Sequence, residues 1–562
     1  MANLVAPITS LQPYEERIIE FKGLNRRSFV EEGEMSDMKN LTSDNYPLLT
    51  PRKLRGSYEL PEGVEKPLSI MTKFDRLAMI AQKENGNIAF FYDGNEIKSV
   101  KGITADTQMV AINTKICFFP QKTYLTLVRE GVSVTIGEYG TLESTKSLTN
   151  TSVTISNENA QMTVGIVHKF GLDDAVDING TITYTPAPEE EGVVPEVQTK
   201  DCIASCIIEN VKDNVLTFPR ETFIELTGEG ATDITFTGTI KREAPDITHV
   251  IEWNNRLWGV SDEDNTIYAC KLGDPKNWKY YQGTSLDSYY AQQGTDEQWT
   301  GCAAYSSHLI FFKENRMTKI YGTSPSTFQV TNTRAFGVEK GSSKSVVVLN
   351  NVVLYKSTIG IMAYEGGDPY SISEKINCKF KNVVAGTEGI KYYASVQKED
   401  GTNELLVFDI DKACWHKEDD VRFRGCTILD SKLMFISDVD TDAFDKDKIY
   451  IVNPETPSET KMQREWMAVF GAFDENIENQ KIFSKMSLRL IPHSKTIVTI
   501  YIKMDDGEWE RVKQIGYAET GGVTVPIVPR RCDRFYIKIV GKGDCEIKSL
   551  TRRFRRGSGV KS

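Results

Sequence analysis

Apolar and polar residues alternate in short runs along most of this 562-residue chain, and Asn, Asp and Gly punctuate the runs. Residues 248–278 show the pattern best. His249, Ile251 and Trp253 occupy alternate positions of the first run, and the two asparagines after it tolerate the positive φ that a tight hairpin requires. The stretch therefore predicts a three-stranded meander that a Gly-Asp-Pro sequence terminates. The predicted strands are one through His249 to Trp253, one at 256–261 and one at 266–272.

The same unit recurs along the chain as a turn, one basic or neutral residue, and then four mostly apolar positions. The residue after the turn lies at positions 76, 115, 256, 308, 352, 391 and 432, so successive units are 39, 141, 52, 44, 39 and 41 residues apart. A period of roughly 40–45 residues with four strands per unit is typical of β-propeller blades. We therefore predict an all-β fold: a roughly seven-bladed β-propeller with four-stranded blades and less than roughly a tenth of the chain in helix. The one long gap predicts an insertion of roughly a hundred residues.

Departures from this period divide the chain into five predicted segments. The first segment contains prolines and turn residues and has too few apolar residues for a core of its own. We expect it to lie across the propeller or a neighbouring subunit, and we expect deletion of residues 1–45 to impair assembly while the monomer stays soluble. The last segment breaks the period but alternates well, which predicts a β-sandwich. The segments are an extended N-terminal arm at 1–62, propeller blades 1 and 2 at 63–140, an acidic small β domain inserted at 141–245, blades 3–7 at 246–460, and a C-terminal β-sandwich with a basic tail at 461–562.

Charge is distributed unevenly over these segments. The net charge of the chain is −11, and residues 141–245 contain 17 acidic and 7 basic residues, a net charge of −10. Residues 513–562 contain 12 basic and 4 acidic residues, a net charge of +8. Such an asymmetry points to different partners at the two places, although two ordinary solvated faces would have the same composition.

Composition argues against a membrane or secreted protein. No apolar run approaches the roughly 20 residues that span a bilayer, and the N-terminus lacks the basic start and apolar core of a signal peptide. The ten cysteines are scattered without the spacing of a zinc site. This distribution favours buried thiols in a chain that folds in a reducing cytoplasm.

The sequence lacks the signatures of catalysis and metal binding. Its five histidines lie outside any His-Glu-x-x-His spacing, and there is no Gly-x-Ser-x-Gly elbow and no phosphate loop. Five aspartates between Asp438 and Asp447 resemble a calcium loop, but Ala443 replaces the required glycine and Ile449 the bidentate glutamate. An acidic hairpin loop is therefore the favoured interpretation. We predict no catalytic residue, no metal site and no cofactor, in a protein that is not an enzyme.

Clustered arginines near the C-terminus are the main candidate binding residues. Their mixture with an aromatic residue is compatible with phosphate contact, with binding to an acidic neighbouring subunit, or with a solvated face. The candidate assembly contacts are Arg530, Arg531, Arg552, Arg553, Arg555 and Arg556.

Several stretches together resemble a known protein family. The sequences MSDMKNL at 35–41 and YPLLTPR at 46–52 resemble the start of structural proteins of tailed phages and prophages. The stretches 253–259, 265–268 and 273–278 resemble the tail nozzle proteins of short-tailed phages, also called tail tubular protein B or packaged-DNA stabilisation protein. The residues of this propeller fold motif are Trp253, Asn255, Arg256, Trp258, Gly273, Asp274, Pro275 and Trp278.

The resemblance implies a structural protein of the virion tail, synthesised in the host cytoplasm, that forms a six-fold homo-oligomeric ring. Such rings form the lower tail channel, retain the packaged DNA and pass it on ejection. The implied partners are head–tail adaptor proteins, tail fibre or tip proteins, and double-stranded DNA that passes without sequence specificity. Within the acidic insertion, the loop 186–195 then becomes a candidate channel loop whose carboxylates repel phosphates. Its acidic residues are Glu189, Glu190 and Glu191.

Two other functions remain open at the level of sequence. One is a receptor- or glycan-binding adaptor at the tail tip, in which propeller loops would hold sugar. The other is a propeller hydrolase of surface polysaccharide, which the missing motifs disfavour because a glycosidase needs two placed carboxylates.

Overall fold

The structure is a computed structural model that describes residues 13–165, 168–188, 195–462, 464–475, 480–519 and 521–556. The described residues are nearly all β, with one α-helix, α1 at Glu221–Thr227, and three 3-10 turns at Pro325–Thr327, Ser343–Ser345 and Glu374–Ile376. None of these helices is long and apolar enough to cross a bilayer. The chain divides into two compact units. We call residues up to 87, 92–95 and from 339 onward the terminal unit, and residues 88–91 and 96–338 the central unit.

Seven short strands precede the first repeat unit. Locally, β2 pairs with β3 and β5 pairs with β6, whereas β1, β4 and β7 pair with strands from much later in the chain. The strands are β1 Tyr14–Ile18, β2 Gly23–Leu24, β3 Glu34–Met35, β4 Asp37–Lys39, β5 Leu41–Thr42, β6 Thr50–Pro51 and β7 Gly56–Tyr58.

Two four-stranded sheets follow, and in each the strands are neighbours in chain order. Their strands are β8 Val64–Lys73, β9 Arg76–Lys83, β10 Ile88–Tyr92 and β11 Asn95–Glu96, then β12 Gln108–Ile112, β13 Lys115–Phe119, β14 Thr123–Glu130 and β15 Ser133–Thr141.

The long gap in the repeat is occupied by a separate seven-stranded sheet, to which we refer as the insertion (residues 144–242). The strand order is β19-β18-β22-β16-β17-β21-β20, so the first and last strands of the insertion, β16 and β22, lie side by side. Met162, Ile182, Phe218 and Phe236 belong to its own hydrophobic core and are fully buried. The strands are β16 Ser144–Ile155, β17 Asn159–Thr163, β18 Ala175–Thr185, β19 Gln198–Ile207, β20 Asn210–Lys212, β21 Val215–Pro219 and β22 Thr232–Arg242.

Five more four-stranded sheets span residues 249–451. The last of them takes its fourth strand from β7, in the register Ile449 to Tyr58 and Ile451 to Gly56. The strands are β23 His249–Trp253, β24 Arg256–Ser261, β25 Thr266–Ala269, β26 Tyr289–Gln292, β27 Gly301–Ala304, β28 Leu309–Lys313, β29 Arg316–Tyr321, β30 Gln329–Arg334, β31 Val347–Leu349, β32 Val352–Ser357, β33 Gly360–Tyr364, β34 Tyr370–Ser371, β35 Phe380–Glu388, β36 Lys391–Lys398, β37 Asn403–Asp409, β38 Cys414–Lys417, β39 Phe423–Leu429, β40 Lys432–Ser437 and β41 Ile449–Ile451.

The predicted fold class, an all-β fold of the propeller type, is confirmed. The repeat positions mark the second strand of each of the seven four-stranded sheets: β9, β13, β24, β32, β36 and β40 begin at them, and β28 begins one residue later. Asn254 and Asn255 have the predicted positive φ, 51° and 58°. The third strand of the meander ends at Ala269 instead of residue 272, because the backbone at Cys270 and Lys271 bonds to loop and side-chain groups.

The final eight strands form two sheets that face each other. One has the order β1-β49-β43-β46 with β47 also on β43, and the other has the order β4-β42-β48-β44-β45. Phe483 of the first sheet stacks on Phe535 of the second, with ring centroids 4.2 Å apart, so the shared core lies between the sheets. The strands are β42 Glu465–Phe473, β43 Lys481–Pro492, β44 Ile497–Met504, β45 Glu510–Gly516, β46 Gly521–Pro526, β47 Arg531–Cys532, β48 Phe535–Lys542 and β49 Cys545–Arg556.

The described part of the predicted arm is an integral part of the terminal unit. β1 pairs with β49 and β4 pairs with β42, so each sheet of the sandwich contains one strand from the beginning of the chain. Phe21 is 4% exposed and packs 5.9 Å from the ring of Phe470. Arg52 donates two hydrogen bonds to the buried carboxylate of Glu459, at 2.8 and 3.0 Å. The expectation that the monomer stays soluble without residues 1–45 therefore conflicts with the structure, because the deletion would open this core.

Candidate functional site

The propeller fold motif resembling the nozzle family lies in the central unit and is structural. Arg256 is 1% exposed, and its guanidinium donates to the backbone oxygens of Cys270 (2.8 Å), Ser285 (2.6 Å) and Asp287 (2.6 Å). Burial lowers the pKa of this guanidinium from its ordinary value. Trp258 is fully buried, with its ring 5.0 Å from that of Phe328 in an edge-on arrangement. Arg256 of β24 thus ties the long loop 270–288 to its sheet, and Trp258 packs inside the same region against Phe328.

The second half of the motif builds a tight turn at the start of that loop. Gly273 has a φ of 75° and donates its N–H to the carbonyl of Asn255 at 2.8 Å. The carboxylate of Asp274 accepts from the side-chain amide of Asn277 at 2.6 Å. The buried indole of Trp278 donates to the carbonyl of Pro275 at 2.8 Å. These three hydrogen bonds make the turn a rigid platform.

This platform also fixes the insertion, through a cluster of ion pairs that the sequence did not reveal. Arg242, the last residue of β22, pairs at close range with Asp174, and the side chains of both are almost fully buried. The ammonium of Lys276 lies 3.4 Å from the same carboxylate. The ammonium of Lys279 lies 2.7 Å from Asp177 and 2.7 Å from Glu243. We call this cluster the base clamp; it holds the start of β18 and the end of β22 against the loop 273–279.

The candidate channel loop cannot be placed, since Glu189, Glu190 and Glu191 lie outside the described residues. Elsewhere the insertion carries eight exposed carboxylates that form no ion pair within the described part of the chain. They are Glu158, Glu196, Asp201, Glu209, Asp213, Glu221, Glu225 and Asp233. These carboxylates lie in loops, on α1, on β19 and on β22, and we call them together the acidic surface of the insertion.

The six candidate arginines do not form one site. Arg552 is buried at 2% exposure, and its guanidinium lies 2.9 Å from Glu475 and 3.1 Å from Glu32, so it is not available to a partner. Arg530 is exposed and forms a bidentate pair with Glu510, at 2.5 and 2.9 Å. The side chain of Arg556 lies outside the described part of the structure. Arg552 is therefore withdrawn as an assembly contact, because the pleat of β49 turns it toward the core.

The other three arginines come together on the outer face of the first sandwich sheet. Arg531 and Arg555 are both cross-strand neighbours of Ile482, and Arg553 pairs with Lys485. Further cations on β1, β43 and β49 lie beside them, so four strands, β1, β43, β47 and β49, contribute to the set. We call this set the basic face; its members are Arg17, Lys485, Arg489, Arg531, Lys548, Arg553 and Arg555, and all of them are exposed.

Most of the charge on the basic face is uncompensated. Apart from Arg531, its cations form no ion pair with any described residue. Glu15 lies opposite Arg553 in the register of β1 and β49. The sequence contained a signal for part of this face: in a strand, Arg552 and Phe554 must share one side and Arg553 and Arg555 the other. The contributions from β1 and β43 had no such signal, because only sheet pairing brings those strands together.

His308 and the aspartate run are both held by the surrounding fold. His308 is 2% exposed, and burial lowers its pKa to about 4, so the ring is neutral at pH 7. The guanidinium of Arg424 lies 2.5 Å from Asp438 and 2.6 Å from Asp447. Two aspartates of the run that resembles a calcium loop are therefore paired with an arginine. Among the described residues, no group of three or more His, Cys, Asp or Glu side chains is arranged to hold a metal ion. The described cysteines are free thiols.

Comparisons with known proteins identify no family for this chain. No protein-family model matches the sequence, and no curated protein matches it. Among solved structures, it is similar to an exo-β-1,3-galactanase of Phanerochaete chrysosporium, at 10% identity and a TM-score of 0.22, over 54% of this chain and 95% of that one. It is also similar to Hsv2 of Kluyveromyces lactis (11% identity, TM-score 0.26, 60% of this chain and 99% of that one).

A third similar structure is the β-propeller domain of the Trilobed protease of Pyrococcus furiosus, at 11% identity and a TM-score of 0.26, over 68% of this chain and 92% of that one. Likenesses at these identities and TM-scores leave the function of this chain open.

Proposed function

We propose that this chain is a non-enzymatic structural protein of a phage virion, a subunit of the tail nozzle ring that retains packaged DNA and passes it on ejection. The observation that carries the proposal is the presence of two surfaces of opposite charge on one chain. One is the basic face of the terminal unit and the other is the acidic surface of the insertion in the central unit.

Two complementary surfaces on different parts of one subunit favour head-to-tail association. Such heterologous contacts close into rings when the rotation between subunits permits it. Opposite charges steer the copies into one register and disfavour like-charged contacts. Several cations that lack an ion pair in the single chain gain one when an acidic surface of a second copy covers them.

The remaining parts of the proposal come from the resemblance to tail nozzle proteins. They are the six-fold order, the head–tail adaptor and tail fibre or tip proteins as neighbours, and the position in the tail. Double-stranded DNA would pass without sequence specificity if carboxylates line the channel, because they repel phosphates over about one Debye length, roughly 8 Å at physiological salt. A wall that forms few phosphate contacts lets the duplex slide.

The oligomeric state of purified protein tests the assembly step. We expect negative-stain images and native mass spectrometry at low salt to show a ring with a central hole. The triple variant Lys485→Glu, Arg489→Glu, Arg553→Glu should remain monomeric, because it removes the charge complementarity of the basic face. The matched control changes three exposed lysines elsewhere in the terminal unit, Lys379, Lys412 and Lys446, to Glu. Rings formed equally well by the basic-face variant, or a wild-type protein that is monomeric at every salt concentration, would refute the proposal.

A further inference from the structure

A groove in the central unit combines aromatic walls with a polar end, and neither the repeat nor the proposed ring accounts for it. Its volume is about 440 Å³, within the roughly 300–1,000 Å³ typical of small-molecule sites. It lies beside the base clamp, where the insertion returns to the propeller-type sheets. Its lining includes Glu243, Tyr268, Trp278, Lys279, Tyr281 and Tyr290.

Two exposed tyrosines form the walls of the groove. Tyr281 is 47% exposed and Tyr290 is 60% exposed, which leaves large aromatic faces in water. Their ring centroids are 6.1 Å apart and their planes meet at 66°, so the rings form an open corner. Neither hydroxyl forms a hydrogen bond with a described residue, so both can serve a ligand.

Rigid elements hold this corner in place. Tyr290 is the cross-strand partner of Tyr268 in the register of β25 and β26. Trp278, at the floor, is 2% exposed and is fixed by its indole hydrogen bond to Pro275. An aromatic site mounted on strands and a rigid turn loses little conformational entropy when a ligand binds.

The polar end presents a donor and an acceptor side by side. The ammonium of Lys279 donates to Asp177 and to Glu243 at 2.7 Å each, which leaves one of its three N–H groups unused by these carboxylates. The second carboxylate oxygen of Glu243 accepts no hydrogen bond from a described residue, and its side chain is 46% exposed. A hydroxyl group, which donates and accepts at once, matches this pair.

We propose that this groove binds a neutral carbohydrate. The apolar C–H face of a sugar ring packs on one tyrosine face while its hydroxyls bond to Lys279, Glu243 and the tyrosine hydroxyls. The two carboxylates outnumber the single ammonium, so the polar end repels an anion. The unused N–H of Lys279 beside the unused oxygen of Glu243 matches a hydroxyl better than a quaternary ammonium, which has no N–H group to donate and no oxygen to accept. The site goes beyond the proposed ring subunit and does not depend on ring formation.

Titration of the purified full chain with defined oligosaccharides tests the site. The probes are three- to six-unit oligomers of glucose, galactose, mannose and N-acetylglucosamine, followed by saturation-transfer NMR and calorimetry, with choline chloride as the cationic probe. At least one oligosaccharide should bind saturably, and Tyr281→Ala, Tyr290→Ala and Glu243→Gln should each weaken it by about tenfold or more, a difference of roughly 1.4 kcal/mol. The matched control is Tyr517→Ala, which removes a tyrosine that is 62% exposed in the terminal unit.

Three outcomes would overturn the inference. They are the absence of saturable binding of every oligosaccharide up to roughly 10 mM, binding that Tyr517→Ala weakens as much as Tyr281→Ala does, and binding of choline in the groove instead of sugar. Each variant is first compared with the wild type by circular dichroism and thermal melting, so that loss of the fold is not counted as loss of the site. Ring formation is scored separately, and a sugar-binding monomer would refute the ring without touching this inference.

Discussion

Replacing Arg242 by Met should release the insertion from the rest of the central unit. The guanidinium of Arg242 lies under the insertion and donates to the carbonyl oxygens of Leu142 (3.1 Å), Lys169 (3.1 Å) and Thr141 (3.0 Å), besides its pairing with Asp174. The side chains of Arg242 and Asp174 are 2% and 0% exposed. Methionine fills similar space but leaves the buried carboxylate without its main partner.

The expected loss of stability depends on the groups that still contact Asp174 in the variant. Removing one partner of a buried ion pair costs about 3–5 kcal/mol. The ammonium of Lys276 at 3.4 Å and the amide of Gly171 at 2.7 Å still stabilise the carboxylate, which places Arg242→Met near the lower end of that range. A loss of about 3 kcal/mol raises the population of open insertion by roughly a hundredfold or more. In the double variant Arg242→Met, Asp174→Asn, neither charge is left without its partner. The loss of stability in the double variant should therefore be about 2 kcal/mol smaller than the sum of the losses in the two single variants.

Native-state hydrogen exchange is the appropriate assay, because the opening of one domain need not follow global unfolding. Amides of β16 and β22 should exchange roughly a hundredfold faster in Arg242→Met, while those of β28 and β29 stay protected. Arg220→Met is the matched control, since Arg220 pairs with Glu229 on the surface, where a pair contributes at most about 1 kcal/mol. Unchanged protection of β16 and β22, or strictly additive effects in the double variant, would refute the clamp.

Three further predictions concern stability. Burial lowers the pKa of His308 to about 4, whereas a histidine in the unfolded chain has a pKa near 6.5. As the pH falls, the unfolded chain therefore takes up the proton first, so the free energy of unfolding should be at its full value above about pH 6.5 and fall by about 3 kcal/mol between there and about pH 4. Urea titrations should find a smaller loss in His308→Phe, and an identical pH slope in the variant would disprove this prediction. Phe483→Ala should cost about 3–5 kcal/mol in urea unfolding, because the ring is fully buried against Phe535, and a cost below about 1 kcal/mol would contradict the shared sandwich core. Deletion of residues 13–45 should yield aggregated protein, because it removes six apolar side chains that are at most 4% exposed. Burial of each of them contributes roughly 1.5–3 kcal/mol to stability. A soluble, protease-resistant truncated chain would contradict this prediction.

The strands and the turns between them were predictable because their signals are local. A strand turns successive side chains to opposite faces, so alternation marks it within a few residues, and a tight hairpin needs residues such as Asn254 and Asn255 that tolerate positive φ. The near-constant spacing of these units then identified the propeller-type fold and located the insertion between β15 and β23. The same local rule separates Arg553 and Arg555 from Arg552, although the run of arginines hides it when it is read as a charge cluster.

Only the tertiary structure decided which strands become neighbours. Nothing in the sequence around β1, β4 or β7 specifies that they pair with β49, β42 and β41, which lie roughly 400 to 540 residues later. A strand with unpaired edges can join any compatible edge, and the choice depends on the total apolar area and hydrogen bonding of the whole unit. The basic face depends on such a distant pairing, that of β1 with β49. The base clamp joins residues about 70 to 100 positions apart, and the aromatic groove is built from residues 243–290. Their residues therefore look ordinary in the sequence and form a surface, a clamp or a groove only where the fold brings them together.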